Sequence, residues 1–585
     1  MSRIVLYFAA LISLCLAGLV QSATLIAPQV ISPDASGTTS VTLAVRWATI
    51  SVDGAGTFSS RLYHVNGLPM YPGPTIQVQP GGTLSITLVN NLGPNDAADS
   101  SRAMNTFRHI NTTNIHTHGL HADPSIDSIF RQANPGQSLT YNIPIIAAHH
   151  PGMHWYHAHT HGASTLQLMG GLFGALVVLP PLGVSIPTQV SSLTEEMFVM
   201  STLKFVSEVT QDCDGRGSTN FDPFKQYSFS ELETATGSTV HAAGTITTDL
   251  LVVNGMYQPV INMAPGQRKV LRTVFAAGAA HPALVIRPPT CTMTLVAVDG
   301  VYLDTPRTVT RVSYMPASRY DIVVYCPTAG TFAIENTERG FGGTVASIVV
   351  SGSATTTSDV PSSLTSITKP YYLQDQTSGT PTAFHQVHFT QGGSPNCVFW
   401  MGEGTDCSSG VPSSTCSFNS FAGERGVSNA ALYSHVTQVG VLNEFTVYGL
   451  GNEPHPMHIH VNHFQVVAYT PNTGGQALAD YSMVLGEWRD TIPALDGVFR
   501  IRFVANTYAG ETVMHCHVLT HEDKGLMSTF LIQPGTGTPS APVTASPPSS
   551  GSPATNAPVR ATSAAATGSM FIVSALISIL LVIFV

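Results

Sequence analysis

This chain is short of charge. Only 10% of its 585 residues are Asp, Glu, Lys or Arg, and the formal net charge is −10. No basic patch is available to neutralise phosphates, which excludes nucleic acid as a partner. No long helical period stands out, so a helical bundle is excluded too. The 17 methionines form no cluster. Sites for N-glycosylation are scarce, Asn111-Thr112-Thr113 being the one acceptor sequence. No basic residue follows the apolar run from Met570 to Val585.

What is abundant is Gly (51) and Pro (39), along with Val, Thr and Ser. That mixture favours many short strands separated by turns, and the length implies three or four domains. One grammar of turn, alternating strand, Gly turn and strand recurs in three blocks. The first, 24–182, holds Pro72-Gly73-Pro74-Thr75, the alternating Thr83 to Asn90, and an apolar strand from Leu172 to Leu179. The second, 195–352, holds Leu250 to Val253, Leu295 to Val298 and Tyr320 to Tyr325. The third, 370–534, holds Glu444 to Tyr448 and Phe499 to Val504. Three consecutive β-sandwiches follow from this pattern.

The ends read differently. Arg3 precedes an apolar run from Ile4 to Val20, then Ser22 and Ala23, the pattern of a secretory signal over 1–22. Residues 535–569 are a Ser/Thr/Pro-rich linker, and 570–585 form a hydrophobic tail. Small residues, a polar spacer and an apolar tail fit a glycosylphosphatidylinositol (GPI) signal, with Asn556 or Ser563 as attachment site. A single membrane span is the alternative. The expectation is a secreted, extracellular, monomeric protein attached to the cell surface. In that compartment Cys213, Cys291, Cys326, Cys397, Cys407 and Cys416 should be oxidised, and six cysteines allow fifteen pairings.

Histidine carries the chemistry. His116-Thr117-His118-Gly119, His157-Ala158-His159, His455-Pro456-Met457-His458-Ile459-His460 and His515-Cys516-His517 each contain two histidines separated by one residue. In a strand such a pair lies on one face, roughly 7 Å apart, and Cys516 faces the other way. A chain this poor in charge does not produce four such pairs by composition. Imidazole-rich sites with one thiolate suit copper, and two histidines with one cysteine make the trigonal electron-transfer site. Zinc would require a closed tetrahedral site, or three ligands plus water, and carries no electrons. His455, Cys516 and His521 form the trigonal set, and the eight remaining histidines suffice for three further coppers.

Through these four segments the chain resembles a three-domain multicopper oxidase of the laccase type. The likeness extends through Pro72 to Thr75 and Gly170 to Ala175, and more loosely through Val298-Asp299-Gly300 and Arg319-Tyr320-Asp321. It implies an all-β fold of three cupredoxin-like Greek-key domains and four coppers per chain. His455, Cys516 and His521 would bind the type 1 copper, and His116 and His458 the type 2 copper. His118, His157 and His517 would hold one type 3 copper, and His159, His460 and His515 the other. Leu526 falls at the axial position of the type 1 copper, where it cannot coordinate, with Met527 as its rival. Glu522 and Asp127 match proton-relay carboxylates. His121, His149, His150, His154, His161 and His463 fall outside the ligand pattern.

The resemblance implies one-electron oxidation of phenolic or other aromatic donors coupled to four-electron reduction of O2 to water. A ferroxidase or cuprous oxidase, with a metal ion as reducing substrate, is an alternative, though the methionine-rich insertion common in cuprous oxidases is missing. A bilirubin-oxidase-like enzyme is another. A non-catalytic wall protein on the same fold would be expected to have lost ligands, and here every position is filled.

Overall fold

The computed structural model describes residues 23–95, 104–203, 208–211, 218–221, 250–338, 341–392, 398–404, 416–419, 433–449, 455–473, 475–494 and 497–535. The signal, the C-terminal tail with Asn556 and Ser563, and Cys213, Cys397 and Cys407 lie outside them.

The recurring strand grammar folds into three pairs of sheets. In the first, Thr83–Asn90 alternates buried and half-buried residues, as a strand with one covered face must. Its Leu84, Ile86 and Leu88 pack with Tyr63, Ile76, Tyr141 and Leu176 from both five-stranded sheets. Each such buried apolar side chain contributes roughly 1.5–3 kcal/mol. A six-stranded and a five-stranded sheet enclose the second core, around Phe198, Leu295, Tyr314 and Ile348. A seven-stranded and a five-stranded sheet enclose the third, around Phe389, Phe445, Ile501 and Phe530.

One parallel pairing recurs in all three. Thr38–Val52 runs parallel to Thr83–Asn90, Thr194–Leu203 to Arg268–Phe275, and Ala383–Gly392 to Leu442–Gly449. Adjacent parallel strands require crossovers, so the repetition is one of topology as well as composition. The sheets and cores make an all-β fold of three consecutive sandwiches. Among the described residues the longest helix, Ser164–Gly170, has seven residues. None of the described helices is long and apolar enough to cross a membrane.

Of the expected disulfides, Cys291–Cys326 is formed in the second sandwich, closing 35 residues, while Cys516 is free and buried. The asparagine of the one acceptor sequence is enclosed in the fold. Asn111 is 3% exposed, its amide donates to the carbonyls of Gly93 (3.1 Å) and Pro94, and its Oδ1 accepts from Arg61 Nε at 3.1 Å. A sugar on Nδ2 would have to break these bonds inside the fold.

Candidate metal centre

Strand pairing assembles the site in halves. In the first domain His116–His118 pairs with Gly152–His157, which sets His116 opposite His157. In the third, His455–Ile459 pairs with Gly510–Cys516, setting His458 opposite His515 and Met457 opposite Cys516. The strand ends at Cys516, and a short helix, Leu519–Asp523, returns His521 toward the thiol.

His455 Nδ1 lies 3.5 Å from Cys516 Sγ, His521 Nδ1 lies 3.7 Å from it, and the two nitrogens are 3.3 Å apart. A near-equilateral triangle of these sides has a centre about 2 Å from every corner, a metal–ligand distance. Burial pushes the Cys516 thiol up and lowers His455 to about 4. The thiol therefore stays protonated unless a cation displaces its proton, while the imidazole is a neutral donor. Leu526 is buried in the same core as Cys516, and its carbonyl accepts from Cys516 N–H at 3.0 Å. Met527 packs elsewhere, with Ile129 and Val513.

The other eight histidines meet where the first and third domains touch. The rings of His116 and His460 stack at 3.7 Å, and those of His118 and His458 at 3.6 Å. His515 Nε2 faces His159 Nε2 at 3.1 Å and His460 Nε2 at 3.2 Å. The His517 ring lies 5.1 Å from that of His118 and 5.3 Å from that of His157. The His116 and His458 rings are 6.0 Å apart. His515 and His517 share a side, 5.4 Å apart.

The tautomers show that this cluster fits a metal. Outward-facing nitrogens are committed: His116 Nδ1 donates to Asp127 Oδ2 (3.1 Å), and His157 Nδ1 to Ala158 O (3.0 Å). His458 Nδ1 donates to Asp490 O (2.8 Å), and His515 Nδ1 to Cys516 O (3.1 Å). The opposite Nε2 atoms are therefore lone pairs. On His116, His157 and His458 they are buried without a hydrogen-bond partner, and on His515 Nε2 faces other imidazoles. Buried lone pairs aimed at one another are unfavourable unless a cation lies among them. Burial first, then mutual repulsion, holds His118, His157, His159, His458, His460 and His517 well below the ordinary histidine range, so they are neutral ligands. Donor nitrogens of His116, His118 and His157, of His116, His458 and His460, and of His159, His460 and His515 lie close enough for shared ions.

The two carboxylates differ. Glu522 is fully buried, 3.2 Å from His161 Nδ1 and 3.9 Å from His159 Nδ1, and burial pushes it up to about 8. Burial also pushes Asp127 up, but the interaction with His116 Nδ1 and the bonds from Thr117 outweigh it and hold Asp127 low.

Several residues at the site escaped the sequence reading. His161, set aside there as outside the ligand pattern, connects Glu522 to Asn105, whose Oδ1 accepts from Nε2 at 3.0 Å. Asp523 takes the N–H groups of Gly162 (2.6 Å) and Thr165 (2.9 Å), clasping the third domain to the first. Asp490 and Arg319 form a buried pair beside His118. His281, from the second domain, lies close enough to feel His455, and its Nδ1 is buried and unpartnered. The charged run Glu487 to Asp490 offered a signal for Asp490, and Arg319-Tyr320-Asp321 one for Arg319.

Fold and donor sets together define a copper oxidase built from three β-sandwiches, with one trigonal thiolate site and one site of histidines alone. Family profiles described as multicopper oxidase match residues 102–182, 220–357 and 418–536. The laccase of Bacillus subtilis is 22% identical over 513 residues, covering 80% of this chain and 89% of that protein. The iron transport multicopper oxidase fetC of Epichloe festucae is 32% identical over 143 residues, which span 23% of this chain but only 19% of that protein. The solved multicopper oxidase of Campylobacter jejuni, described as a metallo-oxidase, superposes with a TM-score of 0.62 at 20% identity, covering 88% of this chain and 95% of that one. The chain belongs to the multicopper oxidase family, which binds copper and uses O2 as oxidant.

Proposed function

We propose that this protein is a laccase-like enzyme. It takes single electrons from phenolic or related aromatic donors at His455, Cys516 and His521, and reduces oxygen to water at the eight-histidine cluster. The observation that carries the reading is the continuity of His515-Cys516-His517. The Cys516 thiol belongs to the trigonal set, while its neighbours on both sides turn their rings into the other.

Bound copper supplies one-electron redox chemistry at the first site and oxygen reduction at the second. His455, Cys516 and His521 would hold the type 1 ion. His116 and His458 would hold type 2, His118, His157 and His517 one type 3 ion, and His159, His460 and His515 the other. Leu526, apolar and packed beside Cys516, would offer a bound type 1 ion no further donor, which would favour a high reduction potential. Reduction of O2 to two waters consumes four protons. Glu522 Oε1, protonated at neutral pH, is placed to deliver them, with His161 and Asn105 behind it. Asp127, held low and bonded to His116 and Thr117, anchors His116 and is the second carboxylate of the proposed relay.

A metal-ion donor is the second reading, favoured by the names of the Epichloe and Campylobacter proteins. Steady-state rates on a phenol and on ferrous iron, with copper content and the blue charge-transfer band, decide between them. Faster turnover of ferrous iron would reject the phenol reading, and absence of copper would reject both.

A further inference from the structure

The second domain supplies none of the proposed copper ligands, yet one of its side chains reaches their edge. Arg319 is completely buried where all three domains meet. Its guanidinium donates to Ala317 O (3.1 Å) and Asp299 O (3.0 Å) in its own domain, and to Met153 O (3.4 Å) in the first. In the third domain it grips both carboxylate oxygens of Asp490, with NH1 2.7 Å from Oδ1 and NH2 on Oδ2.

Asp490 in turn faces two proposed ligands on different coppers. Its Oδ1 lies 3.4 Å from His118 Nε2, and its backbone carbonyl accepts from His458 Nδ1 at 2.8 Å. The nitrogens left over, His118 Nδ1 and His458 Nε2, are buried and unpartnered. His118 is therefore turned the opposite way from His116, His157 and His458, offering Nδ1 where they offer Nε2. Asp490 lies close enough to His118 and His458 to join them as a donor. However, both its oxygens are already engaged by the guanidinium, which suits it to orient ligands rather than to bind metal. The packing leaves no slack. A Cβ on Gly119, the residue after His118, would meet Arg319 NH2 at 2.5 Å and Asp490 Oδ2 at 2.7 Å, and Gly119 has φ +87°.

We infer that Asp490, fixed by Arg319, is a positioning residue that sets the ring orientation and tautomer of His118 and steadies His458, so that the second domain governs copper loading of the histidine-only site. The inference rests on the copper assignment proposed above. Acceptors behind metal-bound histidines typically change metal affinity 10–100-fold when removed.

The test uses purified full-length protein with Asp490→Asn, which preserves shape and the carbonyl to His458, and Arg319→Lys, which preserves charge but not the two-pronged grip. The measurements are copper per chain, the electron paramagnetic resonance signal of type 2 copper, and chelator competition. In at least one variant the histidine-only site should hold copper about 10–100-fold more weakly, with an altered type 2 signal and an unchanged blue band per chain. Full copper content and an unaltered type 2 signal in both variants would overturn the inference. So would loss of the blue band in step with the other coppers in both, since a clasp that merely holds domains together affects every site alike. If the unsubstituted protein binds no copper, the underlying assignment fails instead.

Discussion

Glu522→Gln tests the proton supply most directly. Glu522 is fully buried, and burial pushes its carboxyl from 4.5 up to about 8. At pH 7 a group of pKa about 8 is roughly 90% protonated, whereas an ordinary glutamate is about 0.3% protonated, a difference of about 300-fold in available donor. Positioned general acids contribute about 10²–10⁴-fold to a rate. The glutamine retains the shape but has no proton to release, so oxygen-limited turnover should fall by about a hundred-fold or more. In the unsubstituted enzyme that rate should decline as pH rises through about 8, and the variant should lack this limb. Anaerobic bleaching of the blue band by a phenol should change little, because the Glu522 carboxylate faces His159 and His161 rather than His455. The same shift acts on stability. Between about 4.5 and about 8 the folded chain keeps a proton that the unfolded chain releases, so stability falls as pH rises across that window. Unaltered oxygen turnover in the variant, or a flat profile through pH 8 in the parent, would refute the relay.

Other outcomes follow from the same geometry. Leu526→Met places a weak sulfur donor beside Cys516 and should lower the type 1 potential in a redox titration; no drop would sink the axial assignment. Cys326→Ser releases the 35-residue loop closed by the disulfide and should destabilise the second domain by about 4 kcal/mol in the loop-entropy account. A denaturant midpoint equal to that of the parent would contradict it. Asn111→Ala removes the buried acceptor of Arg61 Nε and the donor to Gly93 and Pro94, and should cost about 1–3 kcal/mol. Mass spectrometry of the folded protein should find no sugar on Asn111, and a glycan there would show that the described packing is wrong.

The strands were largely legible because alternation is a local property. Thr83 to Asn90 and Phe499 to Val504 state their exposure pattern within eight residues, and both form as read. The candidate copper donors, which the fold brings together, were legible for a similar reason. Residue type and spacing limit the metal, and His-x-His in a strand needs no knowledge of the rest of the fold. The burial of Asn111 was not legible because an acceptor sequence says nothing about what surrounds the amide. His161 and Asp490 were passed over because their partners, Glu522 and Arg319, lie 361 and 171 residues away.

By itself, then, the sequence determined the kind of donor and its local direction: a thiol on one face of the Gly510–Cys516 strand and its exit, with imidazoles on the other. Only the tertiary structure decided which nitrogen of each ring faces inward, that His159 from one domain meets His515 from another, and that burial pushes the Glu522 carboxyl up. The reason is physical. Alternation is fixed by bonds a residue or two away, whereas tautomer and protonation depend on which distant groups exclude water and accept the remaining hydrogen bond.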